Sequence, residues 1–243
     1  MPSRVKPGFR SARALAEFAA DLQRSSVSEA AETAVAIAPR LLMPGAAGSV
    51  LLCHRRRLVP TAASDPELLA ADRAQAEYDE GPSVDVLKGT AAAFAADLRT
   101  APAWPVWAPR AVELGWRTML SLRLTSRAGH LLGVFTVAHT EPGVLGPAVA
   151  EHALTLATHL SVGLDTARIQ ENLRLAQDAQ ARVGQATGIL MERFGLDADQ
   201  AFRVLRRYSQ DTHRKLHLVA EEVISNGGLP AAPAELGRSG WRV

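Results

Sequence analysis

The chain is short of several things. One residue of 243, Cys53, is a cysteine. That excludes a disulfide within the chain and any zinc site built from several thiolates, and it suits a reducing compartment. Lysine is scarce too. Lys6, Lys88 and Lys215 are the only ones among 27 basic residues, so nearly all the positive charge is guanidinium. No run approaches the roughly 20 apolar residues of a membrane span. The stretch MPSRVKPGFRSARALAEFAADL has no clean secretory core, because Glu17 and Asp21 interrupt it. There is no glycine-rich phosphate loop with a lysine, and no defensible Ser-His-Asp order. These absences lead us to expect a soluble cytoplasmic protein with no catalytic activity and no cofactor. Cys53 sits in an apolar stretch and reads as a small core residue.

What remains is an ordinary globular composition, 47% hydrophobic and 21% charged. The length fits one large domain or two small ones. Net charge is only +2, so any affinity for a polyanion must come from a local concentration of cations.

Residues 1–10 read as a tail. From Ser11 to about Leu42 apolar residues fall at helical spacing, with a cap signal at Ser28. SVLLCH and LVPTAAS, joined by arginines, read as a hairpin. Helices are predicted over DPELLAADRAQAEY, SVDVLKG and WPVWAPRAVELG, and a strand over AAFAADL. A second hairpin from Arg117 to Thr140 alternates well. The pattern is α+β: an antiparallel sheet with flanking helices, expected on one face.

After EPGVLGP the texture changes. From Pro147 to about Arg193 no proline interrupts, and a long linker helix is predicted. Leu156, Leu160, Leu164 and Ala167 form one stripe; Ile169, Leu173, Ala176 and Val183 form another. A helix of about 40 residues is too long for one domain, and a second copy of the chain is the simplest partner for its stripe. The alternative is a break near Gly163 or Asp178. Two more helices close the chain. The first is capped by Asp197 with Gln200 three residues on and faces inward with Ala201, Val204, Leu205 and Tyr208. The second restarts at Asp211 or Thr212, buries Leu216, Val219, Ala220 and Val223, and stops at Asn226-Gly227-Gly228. Met191 and Phe194 read as core, and residues 229–243 as a tail.

The stretch VGQATGILMERFGLDADQAFRVLRRYSQDTHRKLHLVAEEVI resembles the ANTAR domain, on Gly184-Gln185-Ala186, Gly188-Ile189-Leu190-Met191, Ala201-Phe202, Leu205-Arg206, Ser209, Lys215-Leu216 and Val219-Ala220. The N-terminal part is similar to a GAF domain, on QAEYDEGPSVDVL, AAFAADL and WRTMLSLRL with LLGVFTVAH. The resemblance implies a GAF-like sensor or dimerisation domain over 11–165 and a three-helix ANTAR bundle over 166–228. It also implies no catalytic role for either half, and binding to paired short stem-loops in nascent RNA. Such binding prevents a terminator from forming, so that the RNA polymerase elongation complex is affected indirectly. Where the family commonly has lysine this chain has Thr187. Its usual earlier arginine is matched only by Arg182, out of register, which bears on affinity or target.

Guanidinium groups pair with phosphate bidentately and stack on bases. From Arg182 to His217 there are seven Arg or Lys against four Asp or Glu. The candidate RNA-binding residues are Arg182, Gln185, Thr187, Arg203, Arg206, Arg207, Tyr208, Ser209, Arg214 and Lys215, with the spacing of Tyr208 from Val204 and Leu205 favouring core for that residue. Gly184 and Gly188 are one turn apart, which implies close approach of another helix or of RNA. His213 and His217 have metal-binding spacing, but Arg214 and Lys215 between them disfavour a dication. A small-molecule pocket in the GAF-like domain would draw on Glu80, Val84, Phe94, Trp104 and Trp107. The competing reading is a DNA-binding regulator in which the last two helices form a helix-turn-helix, though SQDT lacks the usual turn glycine.

Overall fold

The computed structural model of the chain describes residues 12–229, so the tails expected over 1–10 and beyond Leu229 lie outside the described residues. Two compact units divide between Ile169 and Gln170.

The first unit opens with α1 (Ala12–Arg24) and α2 (Val27–Leu42). The helical stretch divides at the expected cap signal, but Ser26, not Ser28, is the cap. Its hydroxyl accepts from the Glu29 amide (3.3 Å) while the Glu29 carboxylate accepts from the Ser26 amide (2.7 Å). Ser26 wins because it has a glutamate three residues on, whereas Ser28 has Ala31. Then come β1 (Ala47–His54), β2 (Arg57–Ala63), α3 (Pro66–Tyr78), α4 (Pro82–Lys88), β3 (Ala92–Ala95), α5 (Trp107–Glu113), β4 (Thr118–Thr125), β5 (Leu131–His139) and α6 (Pro147–Phe194). The sheet has five strands in the order β2-β1-β5-β4-β3, antiparallel throughout. Outer strand β2 carries Pro60 opposite Leu51, where the register slips.

Helices cover both faces of this sheet, not one. Successive strand residues point to opposite sides. Leu120, Leu122, Leu124, Phe135 and Val137 pack with α1, α2 and the first part of α6. Met119, Val134 and Ala138 pack with Leu68 and Ala71 of α3, Val86 of α4 and Trp107 of α5. Both faces of β4 and β5 are therefore buried, and one helical layer could not cover them. α6 does not break at Gly163: a Cβ there would lie 2.8 Å from Leu22 Cβ, so the glycine lets α1 approach. Leu156, Leu160, Leu164 and Ala167 are buried.

The second unit contains the end of α6, α7 (Ala198–Asp211) and α8 (Leu216–Asn226). Its core is Ala186, Leu190, Ala201, Leu205, Tyr208, Val219, Ala220 and Val223. α8 does not start at Asp211 or Thr212. Thr212 caps the end of α7, its hydroxyl donating to Tyr208 O (2.7 Å), and His213 takes a left-handed φ of 53°. The turn is closed by Ser209, whose Oγ donates to Arg214 O (2.6 Å) and whose carbonyl accepts from the Arg214 amide (3.0 Å). No helix among the described residues is long and apolar enough to cross a membrane.

Candidate nucleic-acid interface

α7 is positioned by its cap. Asp197 Oδ1 accepts from the Gln200 amide (2.7 Å) and Gln200 Oε1 from the Asp197 amide (3.0 Å). From that start, 100° per residue turns Ala201, Leu205 and Tyr208 inward and Arg203, Arg206 and Arg207 outward. Arg203 and Arg206 are exposed and make no ion pair among the described residues. Arg207 lies 3.6 Å from Asp211. Beside them Phe202 is 39% exposed. At the start of α8, Lys215 is exposed, and its side chain makes no capping bond.

The other residues singled out in the sequence are placed differently. Arg182 pairs with Glu221 of α8. Arg214 grips Glu222 with both terminal nitrogens, the Nη1 to Oε2 bond being 2.7 Å. The Arg214 hydrogen bonds hold the Glu222 carboxyl below the usual carboxylate range. Tyr208 is core, and burial pushes its phenol up, with Glu222 adding to the effect. Ser209 ties the turn, and Thr187 Oγ1 donates to Val183 O (2.7 Å), so both hydroxyl protons are committed to backbone. Gln185 is exposed. A Cβ on Gly184 or Gly188 would meet nothing within 4 Å, so no helix of the described chain approaches them closely. His213 sits in the turn and His217 in α8, so the helical spacing needed for a shared metal does not exist.

Sequence reasoning missed Phe202. The signal was there: at 100° per residue it stands 100° from Ala201 and 120° from Tyr208, at the edge of the buried face rather than in its middle. Phe194 differs from its expectation as core. It is 37% exposed, with the Arg193 guanidinium 5.9 Å from its ring centroid, because it ends α6 beyond the packed interface.

A GAF domain model matches residues 24–165 and an ANTAR domain model residues 171–224. The chain belongs to the GAF family and carries an ANTAR domain. No curated protein matches it. Among solved structures it is similar to the GAF domain of a Coxiella burnetii phosphoenolpyruvate-protein phosphotransferase (20% identity, TM-score 0.52, covering 66% of this chain and 95% of that one). The Acinetobacter counterpart gives 15% and 0.50, covering 66% and 96%. A bacteriophytochrome from R. palustris gives 13% and 0.53, covering 86% of this chain and 48% of that one. At these identities the likeness shows the fold alone. ANTAR is an RNA-binding antitermination regulator domain and GAF a ligand-sensing domain.

Of the five residues named for a pocket in the GAF domain, Phe94 and Trp104 line one groove, and Glu80, Val84 and Trp107 are not among its walls. Glu80 Oε2 accepts from the Val106 and Trp107 amides at 2.8 Å and so caps α5. Val84 is buried, and Trp107 is buried with its Nε1 donating to Ala71 O (2.9 Å). A groove of about 410 Å³ beside β3 is lined by Phe94 and Trp104 together with Asp85 and Asp97. Trp104 Nε1 donates to Asp85 Oδ2 (2.9 Å). Between α3, α4 and the sheet lies a fully buried polar layer. Gln75 Nε2 donates to Asp72 Oδ1 (3.0 Å), Gln75 Oε1 accepts from the Ser83 amide (2.7 Å), and Ser121 and Thr136 hydroxyls meet at 2.8 Å. Burial pushes the Asp72 carboxyl up to about 7, opposed by hydrogen bonding from Ser49 and Gln75. Ser49 Oγ and Asp72 Oδ2 nonetheless complete no well-formed hydrogen bond.

Proposed function

We propose that this GAF–ANTAR chain is a cytoplasmic antitermination regulator that binds stem-loops in nascent RNA and keeps a terminator from forming. The observation that carries the reading is the outer face of α7. Two guanidinium groups with no ion pair among the described residues, Arg203 and Arg206, stand together beside an exposed aromatic, Phe202. Phosphates suit the first, and the unstacked bases of a loop suit the second. Replacing Arg203 and Arg206 together by alanine is expected to weaken binding of a two-stem-loop RNA by on the order of tenfold or more. Helix content by circular dichroism should not change, since both side chains point to solvent. Binding is read by gel shift with duplex DNA as competitor. Unchanged RNA affinity would remove α7 from the interface, and preferential capture by the duplex would favour a helix-turn-helix DNA regulator.

The same reading includes a homodimer. Val162, Ile169 and Leu173 are 39%, 58% and 57% exposed. With Ala176 they recur at intervals of seven, four and three, the spacing of a two-stranded coiled coil. A second copy offers an identical stripe. Ile169→Glu with Leu173→Glu is expected to turn a dimer into a monomer in sedimentation equilibrium; a native chain that is monomeric at tens of micromolar refutes this part. A ligand in the GAF domain would be the regulating signal.

A further inference from the structure

The turn between β1 and β2 carries a feature that the ANTAR domain does not account for. His54 and Arg57 pair across the ladder, leaving Arg55 and Arg56 as a two-residue loop with φ values of 49° and 63°. Both positions are left-handed, the geometry in which Asn-Gly is favoured and in which a longer L side chain is disfavoured. The chain places two arginines there and a third directly after. His54, Arg55, Arg56 and Arg57 are all exposed, and none makes an ion pair or side-chain hydrogen bond among the described residues. No Asp or Glu occurs between Glu32 and Asp65. A local conformational penalty accepted in order to display uncompensated charge marks a binding feature rather than a packing one.

We propose that the Arg55–Arg56–Arg57 hairpin tip is a second polyanion site, which holds the phosphodiester backbone of single-stranded RNA flanking the stem-loops. This rests on the RNA-binding reading of the ANTAR domain, which brings a transcript to the chain. A flexible single strand reaches the tip without any fixed relation between the two contacts. Guanidinium forks fit phosphate oxygens bidentately. The tip carries no aromatic or long apolar side chain between His54 and Arg57 to insert among lipid tails, so RNA is favoured over an anionic membrane.

The test uses the full chain and the variant Arg55→Asn with Arg56→Gly, which suits the turn and therefore should fold at least as stably. Three RNAs are compared: a two-stem-loop RNA, the same RNA with a single-stranded extension, and the extension alone. The extension should tighten binding to the native chain, and the variant should lose on the order of tenfold on the extended RNA while binding the bare stem-loops unchanged. The log–log salt slope on the extended RNA should fall by about 1.4, two phosphates at roughly 0.7 each. A native chain indifferent to the extension, or a variant that keeps the gain, overturns the proposal. If the native chain binds the extension but no stem-loop, the ANTAR reading fails and the hairpin site stands. Loss of binding to phosphatidylserine vesicles with extended-RNA affinity intact would make the tip a membrane contact and overturn it as well.

Discussion

Replacing Asp72 by asparagine is expected to stabilise the chain at alkaline pH and to do little at acid pH. The folded Asp72 carboxyl titrates at about 7, against an ordinary value of 3.8. Between those values the folded protein holds a proton that the unfolded chain has released. The stabilising contribution is therefore complete below the unfolded value, falls as pH rises, and is gone above the folded value. The span of roughly three units corresponds to on the order of 4 kcal/mol. Asparagine copies the shape of the protonated acid. Its carbonyl can accept the Gln75 Nε2 bond, and its amide can donate towards Ser49 Oγ, an atom left without a well-formed partner. Between about pH 5 and about pH 8 the stability gap between variant and native chain should widen by roughly 3 kcal/mol in favour of asparagine. Denaturant titrations at both pH values measure it, and parallel pH profiles for the two proteins would contradict a buried, proton-holding Asp72.

Gly133→Ala should be more damaging than its single added methyl suggests. A Cβ on Gly133 would sit 2.2 Å from the Leu51 carbonyl oxygen and 3.1 Å from Leu52 Cα. These are backbone atoms of β1, which is held on its two sides by β2 and β5. Neither strand has room to retreat without breaking the ladder, so a loss of about 3 kcal/mol or more is expected from overpacking alone. Gly146→Ala is the control: nothing lies within 4 Å of its Cβ, and the change should be close to neutral. If the two variants unfold at the same denaturant concentration, the pairing of β5 with β1 described above is incorrect.

The β4–β5 hairpin is legible because Leu120, Leu122 and Leu124 alternate in TMLSLRLT and Phe135 and Val137 continue the same face in LLGVFTVAH, with Gly129 at the turn taking φ 79°. The second helical layer is hidden because the face that meets α3 and α4 carries Ser121 and Thr136, which read as solvent-facing and are in fact sealed under a polar layer. Asp72 shares that concealment, although it falls on the Leu68, Ala71 and Gln75 stripe of α3. In the ANTAR domain the outward direction of Arg203 and Arg206 follows from helical phase. The fate of Arg182 and Arg214 does not, because Glu221 and Glu222 reach them from α8. Phase places an arginine on a face, but only the packing of separate helices decides which acid neutralises it.

Pro60 has a consequence for how molecules of this protein can meet. It lies on the outermost strand of the sheet, where a proline offers no amide hydrogen to an incoming strand. The opposite border, Ala92–Ala95, is only four residues long. Both margins of the sheet thus carry features that discourage the addition of another chain, which disfavours edge-to-edge stacking into fibres.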